Sequence, residues 1–72
     1  MNQVEIRVKG HIDPQWSEWL EGLAISHEEE GLTILTGPIV DQPTLYGILT
    51  KLRDMGLSLT YVTIEENEAG NR

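Results

Sequence analysis

The two histidines and a run of three glutamates are the side chains with the most evident chemical potential. His27 stands directly before Glu28, Glu29 and Glu30, and His11 follows the first strand-like segment. Imidazole and carboxylate groups bind divalent metals, and an imidazole is also a general base. In the sheet predicted below, however, one strand separates the two histidines. We interpret the HEEE run as a charged hairpin tip that protects an outer strand, and we assign no metal ligand.

Other catalytic groups are scarce in this sequence. It has no cysteine and no glycine-rich phosphate loop, which removes thiolate nucleophiles and the usual phosphate cradle. Ser26 cannot be activated by His27, because adjacent residues of a strand point to opposite faces. No catalytic residue and no cofactor is assigned, and an enzyme is less favoured than a binding protein. The enzyme hypothesis that stays open is a small dimeric α+β enzyme with His11 or His27 as base at a subunit interface.

The segment DPQWSEW offers aromatic groups for binding. Trp16 is expected to fill the core, while Trp19 lies at the margin of the apolar stripe and is a candidate interface residue. The loop before it gives a candidate ligand pocket formed by His11, Asp13 and Trp16.

Periodicity predicts the elements that position these groups. Alternation over residues 4–8 predicts a strand, and Asp13-Pro14 begins a short amphipathic helix that ends at Gly22. Two strands, 23–28 and 32–36, form a hairpin whose register stays open. Gly37-Pro38 ends the third strand.

A second helix runs from the N-cap Asp41 to Gly56. The residues of this helix that are predicted to face the core are Leu45, Ile48, Leu49 and Leu52. The last strand is predicted at residues 57–64.

The order β-α-β-β-α-β predicts a ferredoxin-like α+β fold, in which an antiparallel sheet carries both helices on one face and has the first and third strands at its centre. Residues 1–64 form the single domain, and residues 65–72 form a disordered acidic tail. In the last strand, Leu57, Leu59 and Tyr61 are expected to face the helices. The opposite, open face would then combine Glu5, Arg7 and Lys9 with Leu35, Val62 and Ile64. Those three apolar residues, with Trp19, are the candidate interface.

Composition limits the partners. Twelve acidic against five basic residues give a formal net charge of −7, which disfavours binding to nucleic acids and to anionic membranes. The absence of cysteine and of a long apolar run favours a cytoplasmic protein. A chain of 72 residues supports only a small core, so self-association as a dimer or larger homo-oligomer is expected to supplement it.

The run GPIVDQPTLYGILTKLRDMGLSL, with VEIRVKG and ISHEEEGLTIL upstream, resembles a group of short, uncharacterised bacterial proteins. They share a Gly-Pro-x-x-Asp-Gln turn followed by a helix that ends in Arg-Asp-x-Gly-Leu, and Tyr46, Met55 and Pro43 depart from that pattern. The group implies no activity. The element order and GHIDP after the first strand are also similar to ACT-type regulatory domains.

Three hypotheses of function follow. The first is a non-enzymatic interaction or regulatory module that self-associates, or docks a protein partner, through its sheet face or an outer strand. The second is an ACT-like sensor of a small ligand, with its pocket near residues 10–16. The third is the dimeric enzyme described above.

Overall fold

The computed structural model describes residues 2–66, which form one four-stranded antiparallel sheet with a single α-helix. The elements are β1 (Asn2–Lys9), a 3-10 turn (Pro14–Ser17), β2 (Ala24–His27), a second 3-10 turn (Glu29–Gly31), β3 (Leu32–Ile39), α1 (Gln42–Asp54) and β4 (Ser58–Glu66). The order across the sheet is β2-β3-β1-β4, so the α+β class and the central position of β1 and β3 are confirmed.

Only the second of the two predicted helices forms, so the two-helix ferredoxin-like layout is not observed in residues 2–66. Between β1 and β2 the chain makes a 3-10 turn and then reverses, because Glu21 and Gly22 both take left-handed backbone conformations (φ 63° and 77°). The Gly22 N–H donates to the Ser17 carbonyl at 2.8 Å, and the Ser17 hydroxyl donates to the Leu23 carbonyl at 2.7 Å. These bonds close the segment after little more than one turn.

β3 continues through Gly37 and Pro38 to Ile39, so the prediction that these two residues end the strand was wrong. Gln3 of β1 pairs with Pro38, whereas β2 pairs with β3 only as far as Thr36. The missing N–H of Pro38 therefore lies on the side where no other strand of residues 2–66 pairs with β3, which is where a sheet tolerates proline.

α1 has the N-cap and the C-terminal stop that the sequence predicts. The Asp41 carboxylate accepts hydrogen bonds from the Thr44 backbone N–H at 3.0 Å and the Thr44 hydroxyl at 2.7 Å. At the other end, Gly56 has φ 80°, its N–H donates to the Arg53 carbonyl, and the Leu57 N–H donates to the Leu52 carbonyl. These two bonds form a Schellman motif.

The core lies between the sheet and the covering layer made by α1 and segment 12–23. Its buried apolar residues are Val4, Ile6, Val8, Ile12, Leu20, Leu23, Leu35, Ile39, Leu45, Ile48 and Leu52. Leu35 pairs with Ile6 and points into this core, so its placement on the open face was wrong.

β4 carries a bulge that reverses the predicted faces of its C-terminal half. Its pairing with β1 shifts between Arg7 and Val8, which leaves Thr60 as the extra residue. Val62 and Ile64 pair with Ile6 and Val4 and pack against the core, so their assignment to the open face was wrong as well. β4 also extends through Glu66, two residues into the predicted tail. The rest of that tail lies outside the described residues.

Candidate functional site

The two histidines meet at the end of the sheet where β1 ends and β3 begins. Their rings are stacked, with centroids 4.2 Å apart and planes inclined by 10°. The chain after β1 crosses the start of β3, where the buried Thr33 hydroxyl donates to the Gly10 carbonyl at 2.6 Å. His27 Nε2 then lies 2.8 Å from the Ile12 carbonyl, which can only accept, so this nitrogen carries a proton. β3 does lie between β1 and β2, as expected, but the segment after β1 crosses it and brings His11 into contact with His27.

Stacking restricts what this pair can bind. The lone pair of an imidazole nitrogen lies in the plane of the ring, and two nearly parallel stacked planes do not direct two lone pairs at one ion. Residues 2–66 contain no group of three or more histidine, aspartate or glutamate side chains placed to hold a metal ion. The pair is therefore described as an aromatic stack and not as a chelate.

The three residues of the predicted ligand pocket each have a different neighbour. His11 stacks on His27, and the Asp13 carboxylate accepts the Gln15 N–H at 3.0 Å as the cap of the 3-10 turn. Trp16 contacts Trp19 instead of filling the core, contrary to its predicted place. The pocket itself stays a prediction.

The tryptophan pair forms an exposed aromatic group on the covered side of the sheet. Trp16 and Trp19 are each 42% exposed and meet edge to face, with ring centroids 5.4 Å apart. Lys51 of α1 lies over the Trp19 ring, with Nζ 5.1 Å from its centroid, and donates to the Trp19 carbonyl at 2.8 Å. The Glu21 carboxylate lies 3.8 Å from the same nitrogen. These contacts hold the loop against α1, and the interface role of Trp19 stays a prediction.

The opposite face of the sheet carries no helix or loop from residues 2–66, and we name it the uncovered face. Its side chains follow from the register: Gln3, Glu5, Arg7 and Lys9 of β1, Ala24 and Ser26 of β2, Leu32, Ile34 and Thr36 of β3, and Tyr61, Thr63 and Glu65 of β4. Its large apolar members, Leu32, Ile34 and Tyr61, differ from the three that were predicted to lie there.

Arg7 organises the centre of the uncovered face. Its Nη2 and Nε atoms both lie 2.7 Å from the Glu5 carboxylate, and its guanidinium lies 4.7 Å from the centre of the Tyr61 ring. The hydrogen bond and the charge of Glu5 raise the pKa of Arg7 further above its usual value. Because guanidinium groups stack on aromatic rings, Arg7 and Tyr61 present a flat surface that is charged and apolar at once.

A cavity of about 170 Å³ lies beside this surface. It is lined by Gln3, Val4, Glu5, Thr36, Thr63 and Glu65, whose polar groups and methyl or methylene groups both contribute to the wall. The predicted pocket near residues 10–16 and this cavity are therefore different places.

Leu32, Ile34 and Tyr61 could not be placed on this face from the sequence, because the side to which each points depends on strand pairing. Leu57 and Val62, five positions apart, both pack against the core. Residues an odd number of positions apart face opposite sides of a regular strand, so the bulge between them follows only once their burial is known.

These features define the class of protein as a small α+β domain with an antiparallel sheet covered on one face. The chain belongs to the family described as Domain of unknown function (DUF8691), which matches residues 3–63. Comparison with curated proteins gave no match. Comparison with solved structures gave none either.

Proposed function

We propose that this protein is a non-enzymatic interaction module that self-associates and binds through the sheet side of the molecule. The single observation that carries the proposal is the uncovered face, where Leu32 and Ile34 lie half-buried beside the Arg7–Tyr61 stack. Interfaces are enriched in tyrosine and arginine at their centres. We further interpret the fold as a ferredoxin-like sheet in which a single 3-10 turn replaces the first helix.

The proposed partner is a second copy of the chain, with a separate protein as the alternative. The formal net charge of −7 disfavours nucleic acid and anionic membrane as partners. Among residues 2–66, α1 is the longest helix, and no helix has the length and apolar character needed to cross a bilayer. A cytoplasmic location remains part of the proposal.

The experiment that tests self-association is the melting temperature measured at protein concentrations spanning about a hundredfold. If unfolding is coupled to dissociation, the associated state is stabilised by mass action, and the melting temperature rises with concentration. A melting temperature that is the same at every concentration contradicts the proposal.

Ligand sensing of the ACT-like kind is the second candidate function, and the cavity of about 170 Å³ on the uncovered side supports it. Its mixed polar and apolar wall favours a small ligand that carries both hydrogen-bonding and apolar groups. A panel of metabolites is expected to include one that raises the melting temperature of the protein. The same metabolite is expected to shift the amide NMR signals of the cavity residues Thr36 and Thr63. A panel that shifts neither signal removes this candidate.

A further inference from the structure

Among residues 2–66, β4 is an outer strand whose second edge has no neighbouring strand and lacks the usual protection against pairing. It has nine residues, of which none from Ser58 to Ile64 is charged and none is proline. Natural outer strands are commonly shortened or given lysine, proline or inward-pointing charges. The opposite edge, β2, has such protection, since it is four residues long and leads into Glu28, Glu29 and Glu30.

The backbone groups on this free edge can be assigned from the ladder. Gly10 donates to the Gly31 carbonyl at 2.8 Å, continuing the β1–β3 pairs as a hydrogen-bonded pair. Bonded and non-bonded pairs alternate in an antiparallel ladder, so Glu5 and Arg7 direct their backbone groups away from β3 and toward β4. Their partners on β4 are Thr63 and Tyr61. The N–H and C=O groups of Val62 and Ile64 therefore point outward, away from β1.

Apolar side chains accompany these outward backbone groups. Leu59 and Tyr61 are 51% and 45% exposed, so two of the large exposed apolar residues of the domain lie on its unprotected edge. Val62 and Ile64 are only half-buried by the core. A strand added at this edge would cover apolar surface as well as bond the backbone.

We propose that β4 pairs in antiparallel fashion with β4 of a second copy of this chain, which joins two four-stranded sheets into one of eight strands. This inference rests on the proposed self-association and names its surface. The bulge at Thr60 limits regular pairing to residues 61–66. Within that range, a twofold axis at Thr63 places Val62 of each copy opposite Ile64 of the other. The outward N–H and C=O groups of Val62 and Ile64 are then all hydrogen-bonded in both copies.

Charge favours a second copy in this register. With Thr63 opposite Thr63, Glu65 of the second copy lies opposite Tyr61, whose ring is 4.7 Å from the Arg7 guanidinium. The acidic end of each strand thus lies beside the Arg7–Tyr61 stack of the other copy, twice by symmetry. Parallel pairing would instead place Glu65 beside Glu65, which is repulsive. The pairing also brings the two uncovered faces side by side as one continuous surface.

Amide hydrogen exchange tests the pairing residue by residue. In a concentrated sample, the Val62 and Ile64 amides are expected to exchange at least about tenfold more slowly than in a sample diluted to the monomer. The Tyr61 and Thr63 amides, which face β1, are the internal control and stay protected in both samples. Associated protein in which Val62 and Ile64 exchange as fast as in the monomer overturns the inference.

Two matched lysine variants test the same edge. Thr63→Lys and Ser26→Lys each add one positive charge at an exposed position of the uncovered face, on β4 and on β2 respectively. Thr63→Lys places two lysines opposite each other at the twofold axis and is expected to raise the dissociation constant by about tenfold, whereas Ser26→Lys leaves it unchanged. Circular dichroism confirms that both variants fold.

The outcomes separate this inference from the proposed function. If Ser26→Lys dissociates the protein and Thr63→Lys does not, the other edge pairs, and the inference fails while self-association stands. A second set of variants tests whether two uncovered faces pack together instead. In that case Ile34→Glu dissociates the protein, whereas Thr63→Lys and the control Tyr46→Glu, on the outer face of α1, do not. The inference then also fails. A wild-type protein that is monomeric at every concentration overturns both proposals.

Discussion

Gly37 shows how one residue fixes a contact between layers. A Cβ atom at this position would lie 2.9 Å from Leu23 Cδ2 and 3.5 Å from Leu23 Cα. The 3.5 Å contact is an ordinary one, but Leu23 is fully buried, so its Cδ2 has little room to move away. Gly37 also has φ 152°, which residues with a Cβ atom rarely adopt. Glycine is therefore required where segment 12–23 passes over β3.

The first prediction compares two glycines. Gly37→Ala is expected to lower the free energy of unfolding by more than about 1 kcal/mol because of this close approach. Gly47→Ala, within α1 and with no atom within 4 Å of the added Cβ, is expected to raise it by about 0.5–1 kcal/mol. Urea denaturation of the two variants checks both signs. Equal effects would mean that the Leu23 contact does not constrain β3.

The second prediction concerns the buried Thr33 hydroxyl, which donates to the Gly10 carbonyl. Thr33→Val keeps the shape and removes the donor, so it is expected to cost about 1–3 kcal/mol. Thr36→Val, the same change on the solvent-accessible side of β3, is the control and is expected to be close to neutral. Denaturant midpoints measure both, and a neutral Thr33→Val would contradict the assigned role of the hydroxyl.

Residue-level prediction succeeded where one residue type has a strong local preference. Asp41 as a cap, Pro43 in the first turn and Gly56 as the stop of α1 were all read from local chemistry. Glu21 and Glu30 also have positive φ, although glutamate has no preference for it. Those two conformations are imposed by the turns around them, so residue type gave no signal.

At the scale of elements, the start of α1 gives a pH-dependent contribution. Hydrogen bonds from the Thr44 hydroxyl and then the Thr44 backbone N–H lower the pKa of Asp41 in the folded protein. A group whose pKa is lower in the folded state stabilises the fold above its unfolded pKa and loses that effect as pH falls through the folded value. The cap therefore weakens only in strongly acidic solution.

The third prediction uses two substitutions of this cap. Asp41→Ala is expected to lower the melting temperature at neutral pH, because the first turn loses its acceptor. Asp41→Asn keeps an acceptor oxygen but cannot titrate, so its melting temperature is expected to fall less than that of the wild type between pH 5 and pH 2. Thermal unfolding across that range checks the comparison, and parallel curves would contradict it.

The fourth prediction concerns the apolar face of α1. Ile48 is fully buried, whereas Leu49 is only half-buried at the margin of the core. Ile48→Ala is expected to cost about 2–5 kcal/mol through the cavity it leaves. The helical stripe alone would predict the same loss of stability for Leu49→Ala. Because Leu49 is only half-buried, the cost of Leu49→Ala is instead expected to lie at or below the lower end of that range. The ratio of the two costs, from chemical denaturation, measures how α1 is rotated on the sheet.

Two elements differ from the sequence prediction for reasons that lie outside their own residues. The first helix fails because Leu20 and Leu23 alone reach the core, while Trp16 and Trp19 remain at the surface. The faces of β4 depend on the bulge at Thr60, which exists only in the pairing with β1. Periodicity gave the positions of the strands, but their registers come from neighbours distant in sequence.

At the scale of the whole molecule, the sheet is asymmetric. One face is covered by α1 and segment 12–23, and the other carries the Arg7–Tyr61 stack and the apolar pair Leu32 and Ile34. A domain of this size buries a limited share of its surface, so association offers stabilisation that a larger core would otherwise supply. The sequence alone could not show whether the molecule self-associates through a strand edge or through the uncovered face, because that depends on which strand is outermost in the sheet.

A fifth prediction concerns Val62 and Ile64, the two core-facing residues of β4 that were candidate interface residues. Val62→Glu or Ile64→Glu would place a carboxylate against the core, so each is expected to unfold the domain substantially and not merely to dissociate it. Circular dichroism at low concentration separates these effects. A folded monomeric Val62→Glu variant would show that the side chain lies on an interface after all.

The measurement that tests the central claim most directly is the solution mass by sedimentation equilibrium over about a hundredfold dilution. Self-association predicts a mass of at least twice the 8.1 kDa of the chain at high concentration, falling toward 8.1 kDa as the sample is diluted. A mass of 8.1 kDa at every concentration would contradict the account and leave the uncovered face to a different protein partner.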